Sequence, residues 1–576
     1  MPIRLTDTTP TSSSRNENAL FKRGNPSTST CVRIAFALMV ACSATFSVIS
    51  MGSDNSRRTT NYSLGWDIKT VIRREPKIRS PSTSSSLPKT PLNILILYPD
   101  DWRHDSLQDA QQTIPNGNTI FTPFLSELAK DGIRFTHNAV TTSICWISRA
   151  TLFTGQYFSR HRAERLFCPT FTLPEYWKDS WVTRLQKDAG YFVGHVGKWH
   201  YYNSHRFFQS AFNWTSLQEG YHWQPPGPHF ANQQHLFTNY TERRGRWNEK
   251  LPAADLSKED ALYFLRHVRP KDGNGNQNTT PFALTVAFYP PKPVGESREP
   301  GGQWEPPQHY KKLYENVTFH RPYNVTQAYE ALPPNLFRVS ENRFYQRWRT
   351  DEQFQESMRN YNALITNVDN ASREIVQELK RQGIYENTMI IFTCDNGMML
   401  GHHGLGGKWH PFEESIRVPL IIHDPRMPAE KRGKLDDRFT LNIDLAETIL
   451  GAAGLKPSPH MQGRDIADLY LSRVNESHPW REDFYYEFPL ADLVSSSSLV
   501  TKKYKYVRYE KPNNNGAVEQ LFDLEHDPYE LNDLMNSGIA KVDVLTPLKQ
   551  RFEELKYTAI NNDGIDIAKC VKGQNP

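Results

Sequence analysis

Four short apolar runs, each followed at once by polar residues, restrict the fold of this chain more than any other feature. The runs lie at residues 93–98, 191–196, 281–288 and 388–394. Helix patterns separate them, at residues 124–133, 181–190 and 361–382. Because continuous apolar runs of this length are typical of strands buried on both faces, the alternation predicts an α/β fold. We expect a large mixed, mostly parallel sheet that is flanked by helices.

Oxygen-bearing side chains follow two of these strands directly. They are Asp100 and Asp101 after the first run, and Asp395 and Asn396 after the last. Ligands of open α/β sheets bind at the carboxyl ends of the strands, so we expect these side chains to meet. Clustered carboxylates repel one another unless a cation lies between them, and hard oxygen ligands favour Ca²⁺ or Mg²⁺ over zinc. Taken alone, an Asp-Asp pair is more often a solvated turn.

A single cysteine, Cys145, lies at the start of a helix pattern that Gly155 can end. The amide groups at a helix N-terminus favour anions, and Arg149, one turn later, can bind sulfate or phosphate oxygens with its two-pronged guanidinium. The alternative is a buried cysteine beside a surface arginine. Further candidate cations follow the other strands or loops: Lys198, His200, Lys292 and Lys408. A divalent metal together with several cations would suit a dianionic tetrahedral group.

Composition excludes some classes of protein. The 576 residues are 38% hydrophobic and 23% charged, which is typical of globular chains, and this length predicts more than one domain. A net charge of +5 without any long Lys/Arg run gives no reason to expect a nucleic-acid partner. Six cysteines in this length are not a disulfide framework.

The N-terminal region has the pattern of a targeting segment. Residues 1–30 form a polar, basic tail, residues 34–51 carry no charge, and residues 52–91 are rich in Ser, Thr, Pro and Arg. We therefore expect a cytoplasmic tail, a signal anchor or a cleaved signal peptide at 31–51, and a disordered stalk at 52–91. A buried core helix is the alternative for the apolar segment. Eight N-x-S/T sequons agree with a glycoprotein of the secretory pathway. We expect it in the Golgi or lysosomal lumen or outside the cell, either free or anchored as a single-pass type II membrane protein.

The pattern changes after about residue 465. Short runs at 484–488, 498–509 and 520–524 are typical of antiparallel strands, and residues 545–556 have the pattern of a closing helix. We therefore predict a catalytic domain at 92–465 and a smaller C-terminal subdomain at 466–576. Residues 205–275 and 295–350, rich in aromatic residues, Pro and Asn, are predicted insertions that would carry substrate-recognition loops.

From about Leu92 to Leu531 the chain resembles the formylglycine-dependent sulfatases of the alkaline-phosphatase-like superfamily. Residues 145–155 resemble the family signature C-x-P-S-R-x-x-x-x-T-G, and Gly197 to His200 resemble its G-K-W-H element. The remaining resemblances are the aspartates at 100–101, the D-N-G and L-G-H-H-G runs at 395–404, the segment 407–420, and the C-terminal runs 504–509 and 521–531.

The resemblance implies a set of roles. A formylglycine-generating enzyme would convert Cys145 to formylglycine, whose hydrate is the nucleophile. Ca²⁺, with Mg²⁺ less favoured, would be held by Asp100, Asp101, Asp395, Asn396 and an oxygen of residue 145. Arg149, Lys198 and Lys408 would stabilise charge on the sulfuryl oxygens, and His200 would deprotonate the second hydroxyl. The substrate would be a sulfated carbohydrate.

Two positions depart from the family pattern. Ile147 replaces the usual proline, which puts the efficiency of cysteine conversion in question, and Lys292 replaces a histidine on the leaving-group side. With an ordinary pKa near 10.4, a lysine is the weaker acid at neutral pH. Two rival hypotheses therefore stay open: a phosphoester hydrolase of the same superfamily, and an inactive relative that only binds sulfated glycans.

Overall fold

The computed structural model describes most of the chain between residues 91 and 561. The described ranges are 91–112, 117–161, 175–199, 211–217, 222–224, 251–270, 280–294, 299–323, 325–330, 332–333, 336–489, 495–510, 516–535 and 542–561. His200 and the predicted tail, apolar segment and nearly all of the stalk lie outside these ranges, so their predictions stand as made. Within the ranges, none of the helices combines the length and apolar character that a membrane span needs.

An eight-stranded sheet forms the centre of the described chain. Its strands are β1 (Asn93–Leu97), β2 (Ile133–Phe135), β3 (Phe192–Gly197), β4 (Trp214–Leu217), β5 (Phe282–Ala287), β6 (Thr388–Thr393), β7 (Leu420–His423) and β8 (Lys434–Asp436). They lie in the order β8-β2-β7-β6-β1-β5-β3-β4. Only β7 is antiparallel to its neighbours; the other pairs of this sheet are parallel. The predicted mixed, mostly parallel sheet is confirmed, and its four predicted strands are adjacent.

Helices flank this sheet. Those of eight residues or more are α1 (Pro123–Asp131), α2 (Cys145–Thr154), α3 (Trp181–Asp188), α4 (Ala253–Tyr263), α5 (Arg338–Arg347), α6 (Asp351–Arg381), α7 (Asp444–Ala452) and α8 (Val542–Asn561). Helix α6 begins ten residues before the predicted start at 361. It begins there because Thr350 and Gln353 form a capping box, each side chain accepting the other's backbone N–H.

Shorter elements complete the described chain. The short α-helices are Gln108–Gln111, Phe158–His161, Gln308–Lys312, Val325–Glu330, Glu413–Ile416 and Ala467–Tyr470. The 3₁₀ turns are Glu175–Asp179, Tyr385–Asn387, His402–Gly404 and Ala429–Lys431, and one π-helical turn is Phe264–Val268. Two-residue strands pair as Asn138–Ala139 with Thr440–Leu441, Met399–Leu400 with Gly406–Gly407, and Trp223–Gln224 with Leu251–Pro252.

Part of the predicted insertion at 205–275 is instead a packed helix. Helix α4 and the π-helical turn after it lie against α6 and against strands β3 and β5. Their apolar residues, among them Ala254, Ala261, Phe264 and Leu265, are fully buried. The sequence analysis did not predict this helix, because the many charged residues on its surface obscure the pattern of its apolar face.

The C-terminal region forms a separate antiparallel sheet. Strands β9 (Asp483–Phe488), β10 (Ser496–Thr501), β11 (Tyr504–Glu510) and β12 (Ala517–Asp523) pair in chain order, and α8 packs across them. The predicted sheet with a closing helix is confirmed. The run 498–509, which the pattern gave as one strand, is a hairpin, because the Thr501 hydroxyl accepts hydrogen bonds from the backbone N–H groups of Lys503 and Tyr504 and turns the chain.

A buried group of charges joins this sheet to the loops of the central sheet. Lys505 of β11 is fully buried and donates to the Pro411 carbonyl at 2.9 Å and to Glu413 Oε1 at 2.8 Å. Its ammonium also forms an ion pair with Glu530 Oε1 at 2.7 Å. We call Lys505, Glu413 and Glu530 the Lys505 cluster. Three oxygen atoms therefore surround the ammonium group.

Candidate active site

The predicted site residues that the structure describes meet at one edge of the central sheet. Asp100 and Asp101 follow β1, Lys198 follows β3, Lys292 follows β5, and Asp395 and Asn396 follow β6. Helix α2 adds Cys145 and Arg149, and the Gly406–Gly407 strand leads into Lys408. We call these nine residues the strand-end cluster. They converge because β6, β1, β5 and β3 are adjacent and parallel, so their carboxyl ends share one edge.

Backbone geometry at two positions aims these side chains. Gly197, which precedes Lys198, has φ +91°, and a Cβ atom there would lie 2.1 Å from the Ala287 carbonyl oxygen. Only glycine fits this approach between β3 and β5. Asp101 has φ +60°, which is unusual for a residue with a side chain. Its backbone N–H donates to Asp395 Oδ1 at 3.2 Å, so the strained conformation ties the ends of β1 and β6 together.

Cys145 lies at the centre of the cluster. It is the first residue of α2, and Gly155 ends the helix with φ +66°, as the pattern predicted. Its Sγ donates to Asp100 Oδ1 at 3.2 Å and accepts from Lys408 Nζ at 2.7 Å and Lys292 Nζ at 3.3 Å. Burial raises the pKa of the thiol, although both ammonium groups act against it. The sulfur is therefore a neutral thiol that faces two cations.

The oxygen ligands form a compact set. One potential ligand atom each from Asp100, Asp101, Cys145 and Asp395 lies within 4.8 Å of the others. Asn396 donates from Nδ2 to Asp101 Oδ1 at 2.6 Å, while its buried Oδ1 has no hydrogen-bond partner among the described residues. A buried, unpaired amide oxygen beside three carboxylates is the donor set that a hard divalent cation prefers. The residues present therefore fit such a metal.

Each carboxylate of this set also contacts a cationic side chain. Arg149 donates from Nε and Nη2 to Asp395 Oδ2, at 3.0 and 2.8 Å, and from Nη1 to the Lys198 carbonyl at 3.1 Å. Lys198 pairs with Asp100, and Lys408 pairs with Asp101. Burial by itself would raise the pKa of Asp395, but Arg149 and Lys198 hold it below its usual value. The Asp395 carboxylate is thus ionised.

Lys292 occupies the more open side of the cluster, with about a fifth of its side chain exposed. Burial by itself would lower the pKa of its ammonium, but Cys145 and Asp101 outweigh that effect and raise the pKa above its usual value. Its backbone is held by His222, which accepts the Glu305 N–H at Nδ1 and contacts the Lys292 carbonyl through Nε2 at 2.7 Å. His222 must therefore carry its proton on Nε2 and donate it to Lys292.

The C-terminal sheet and the loop before α7 support the site through residues that sequence reasoning missed. The Ser143 hydroxyl lies 2.7 Å from the Tyr486 hydroxyl, which donates to the Trp409 carbonyl at 3.3 Å. Asn442 accepts the Thr141 N–H and donates to the Ser148 hydroxyl, both at 3.0 Å. Tyr486 therefore connects the loop before Cys145 to the 408–413 segment, which runs from Lys408 to Glu413. Nothing in the local sequence pattern marks these residues.

Comparisons with known proteins agree with this geometry. Residues 93–455 match the family model described as sulfatase, and residues 401–558 match the model described as N-sulphoglucosamine sulphohydrolase, C-terminal. An N-acetylglucosamine-6-O-sulfatase of Bacteroides thetaiotaomicron is 24% identical over 77% of this chain and 83% of its own length. An extracellular sulfatase SULF-1 homolog of Drosophila melanogaster is 30% identical over 69% of this chain, which spans only 33% of that protein.

The fold also matches solved structures. A protein solved in complex with its substrate, D-glucosamine-2-N,6-O-disulfate, superposes with a TM-score of 0.61 at 21% identity. The match covers 82% of this chain and 99% of that protein.

Proposed function

The chain belongs to the sulfatase family, and we propose that it removes sulfate from a sulfated glycan through a modified Cys145 and a bound Ca²⁺. The observation that carries the proposal is the position of Cys145. Its sulfur lies at the first turn of α2, within 3.3 Å of two lysine ammonium groups and beside a compact set of carboxylates. The glycan is supported by relatives whose names specify sulfated sugars.

Five residues would hold the metal: Asp100, Asp101, Asp395, Asn396 and residue 145. A set dominated by protein carboxylates suits Ca²⁺ better than Mg²⁺, which usually keeps several waters. Bound there, the ion would supply a Lewis acid and a template for the sulfuryl oxygens. The chain's own contribution is to keep the carboxylates ionised and in place, which Arg149 does for Asp395.

Residue 145, once oxidised to formylglycine, would supply a hydrated aldehyde with two hydroxyl groups. One would serve as the nucleophile toward sulfur, and deprotonation of the other would release sulfate and restore the aldehyde. Around it, Lys198 and Lys408 place two ammonium groups where sulfuryl oxygens gain charge, which stabilises the transition state. On the family resemblance we propose His200 as the base for the second hydroxyl.

Lys292 would serve the leaving group. It is protonated, lies on the open side of the cluster and is oriented by the hydrogen bond from His222 to its carbonyl. When the S–O ester bond breaks, the sugar oxygen would leave as an alkoxide, which is a stronger base than a lysine amine. The Lys292 ammonium could therefore protonate it in spite of its raised pKa. His222 can keep this orientation across neutral pH because burial lowers its pKa to about 4, so it remains the neutral hydrogen-bond donor.

We also propose a location and a domain division. The apolar segment at 31–51, the sequons and the extracellular relatives support entry into the secretory pathway and action in its lumen or outside the cell, after conversion by a formylglycine-generating enzyme. Anchoring by 31–51 would give a tail at 1–30 and a stalk at 52–91. The catalytic domain would span 92–465 and the C-terminal subdomain 466–576.

Mass spectrometry of the Cys145 peptide tests the proposal, with protein from a secretory host. We expect a loss of about 18 Da relative to cysteine, the difference between a thiol and an aldehyde side chain. Sulfate release should then occur, stop in Cys145→Ala, and require Ca²⁺ after chelation. Hydrolysis of phosphate esters in preference to sulfate esters would favour the phosphoester alternative. Unmodified cysteine with intact glycan binding and no turnover would favour the inactive relative.

A further inference from the structure

A cavity of about 260 Å³ is lined in part by residues that lie close in the chain to the strand-end cluster. Its lining includes Arg103, two residues after Asp101, and Leu400, which pairs with Gly406 just before Lys408. None of the nine cluster residues lines it. The cavity therefore adjoins two loops that carry site residues.

Two exposed aromatic rings form part of the cavity wall. Tyr323 and Tyr529 are 56% and 42% exposed, and their ring centroids are 5.7 Å apart at an angle of 40°. They come from distant parts of the chain, one before α5 and the other after β12. Large aromatic side chains left in water beside a concavity are typical of binding surfaces. The faces of the rings offer apolar contact, while the hydroxyl groups remain available for hydrogen bonds.

Behind the rings, the arginine and carboxylate side chains of the lining carry no net charge. Arg103 forms a two-pronged ion pair with Asp105, and Arg321 and Glu414 add one charge of each sign. His402 lies 2.7 Å from Arg103 Nη1. Burial and the neighbouring Arg103 lower its pKa to about 3, so this histidine is neutral. The two arginines and the two carboxylates of the lining therefore balance in charge, which does not favour a sulfate or a carboxylate there.

We propose that this cavity is a sugar subsite, which binds a neutral ring of the same glycan whose sulfated unit lies in the strand-end cluster. A neutral sugar ring has an apolar C–H face for the tyrosine pair and hydroxyl groups for the polar residues behind it. A volume of about 260 Å³ is at the small end of ligand pockets and suits one ring rather than a long chain. The inference rests on the proposed action on a glycan.

The test compares substrates of different length. Wild type, Tyr323→Ala, Tyr529→Ala and the stacking-competent Tyr529→Phe would be assayed on N-acetylglucosamine-6-sulfate and on a tetrasaccharide in which N-acetylglucosamine-6-sulfate alternates with the neutral sugar galactose. Tyr557→Ala is the matched control, because Tyr557 is 69% exposed on α8 and does not line the cavity. We expect the two alanine variants to raise KM for the tetrasaccharide about tenfold, as the loss of one aromatic contact would. Their kcat, and both constants for the monosaccharide, should not change.

Equal effects on both substrates, or no effect on either, would overturn the subsite. If wild type releases no sulfate from either probe, calorimetry with the chemically desulfated tetrasaccharide decides the question separately. Binding that weakens in both alanine variants but not in Tyr529→Phe or Tyr557→Ala supports the subsite even though the proposed hydrolysis has failed. Absence of binding to wild type, or equal binding to all variants, overturns it.

Discussion

The strand-end cluster and the Lys505 cluster are both buried groups of lysines and carboxylates, yet they are built differently. In the Lys505 cluster, three oxygen atoms surround the ammonium group of Lys505. In the strand-end cluster, Lys292 and Lys408 both donate to the sulfur of Cys145, and Lys408 also pairs with Asp101. A thiol is a weak acceptor, so the N–H group that each lysine directs at the sulfur would gain from a stronger anionic partner.

Charge balance shows the same difference. Three carboxylates of the strand-end cluster face four cationic side chains, those of Arg149, Lys198, Lys292 and Lys408. In the Lys505 cluster two carboxylates share one lysine. Lys505 and Arg417 overcome the effect of burial and lower the pKa of Glu413 to about 2. Burial raises the pKa of Glu530 to about 7. A closed set of ion pairs stabilises the fold, whereas an excess of cations is suited to binding an anion.

The largest expected effect follows removal of Lys408. Lys408→Ala should lower kcat about 10³-fold, or about 4 kcal/mol of transition-state stabilisation, because the sulfuryl oxygens lose a buried cation. Thermal unfolding should shift little. Lys502→Ala is the control, since Lys502 is exposed and pairs with Asp437. If Lys408→Ala instead lost much of its stability while each folded molecule kept its activity, the strand-end cluster would be structural, like the Lys505 cluster.

Removal of Lys505 should lower stability and leave kcat nearly unchanged. Lys505→Met should lower the free energy of unfolding by about 3 kcal/mol, because two carboxylates stay buried without their cation. Urea unfolding measures the loss, and kcat of the folded fraction should remain near that of wild type. The double variant with Glu530→Gln should recover part of the stability. An unchanged unfolding midpoint would show that the cluster is not structural.

Lys292 should matter only where the leaving group needs a proton. Lys292→Ala should lower kcat about 10²-fold on an alkyl sulfate ester, the usual size of general-acid catalysis. On an aryl sulfate, whose phenolate leaves without a proton, we expect a much smaller loss, and Lys292→His should restore the alkyl activity. Steady-state kinetics on the two esters measure the ratio, and equal losses would assign Lys292 to sulfate binding instead.

The smallest effect concerns His410, which lies between the two clusters on the 408–413 segment and contacts the Ser340 hydroxyl at 2.6 Å. Burial, aided by His403, lowers its pKa to about 3, while an unfolded histidine titrates near 6.5. The unfolded state therefore binds more protons below pH 6.5, and this contribution to stability is lost as the pH falls. From pH 7 to 5.5 the loss is about 1 kcal/mol for one such group.

His410→Gln should remove this increment. Urea unfolding at the two pH values measures it, as the difference between wild type and variant in the pH-induced loss of stability. The exposed His478 provides the control variant, His478→Gln, which should keep the pH dependence of wild type. Identical pH profiles for His410→Gln and wild type would show that His410 is not held neutral by burial.

The sequence predicted β1, β3, β5 and β6 because strands buried on both faces are continuously apolar. It did not predict β8, whose three residues, Lys434 to Asp436, are largely exposed and have no apolar pattern. Nor could it give the antiparallel direction of β7, since an apolar run reads the same in either orientation. Such strands are defined by their neighbours in the sheet, which local pattern does not contain.

The same limit applies to the site. Polar residues at the ends of predicted strands could be grouped, because adjacent parallel strands share an edge. Which carboxylate Arg149 contacts could not be inferred, since a guanidinium binds sulfate and Asp395 with the same geometry. The supporting hydroxyl of Tyr486 was not predictable either, because its two partners are brought together only when the C-terminal sheet packs on the catalytic loops.

The 408–413 segment has a consequence for the entropy of substrate binding. Tyr486 donates to the carbonyl of residue 409, and Lys505 donates to that of residue 411 and to the side chain of Glu413. A six-residue segment restrained at these points has few backbone conformations left to lose. Folding has thus already ordered the segment that carries Lys408. The binding of sulfate therefore loses little further backbone conformational entropy in this segment.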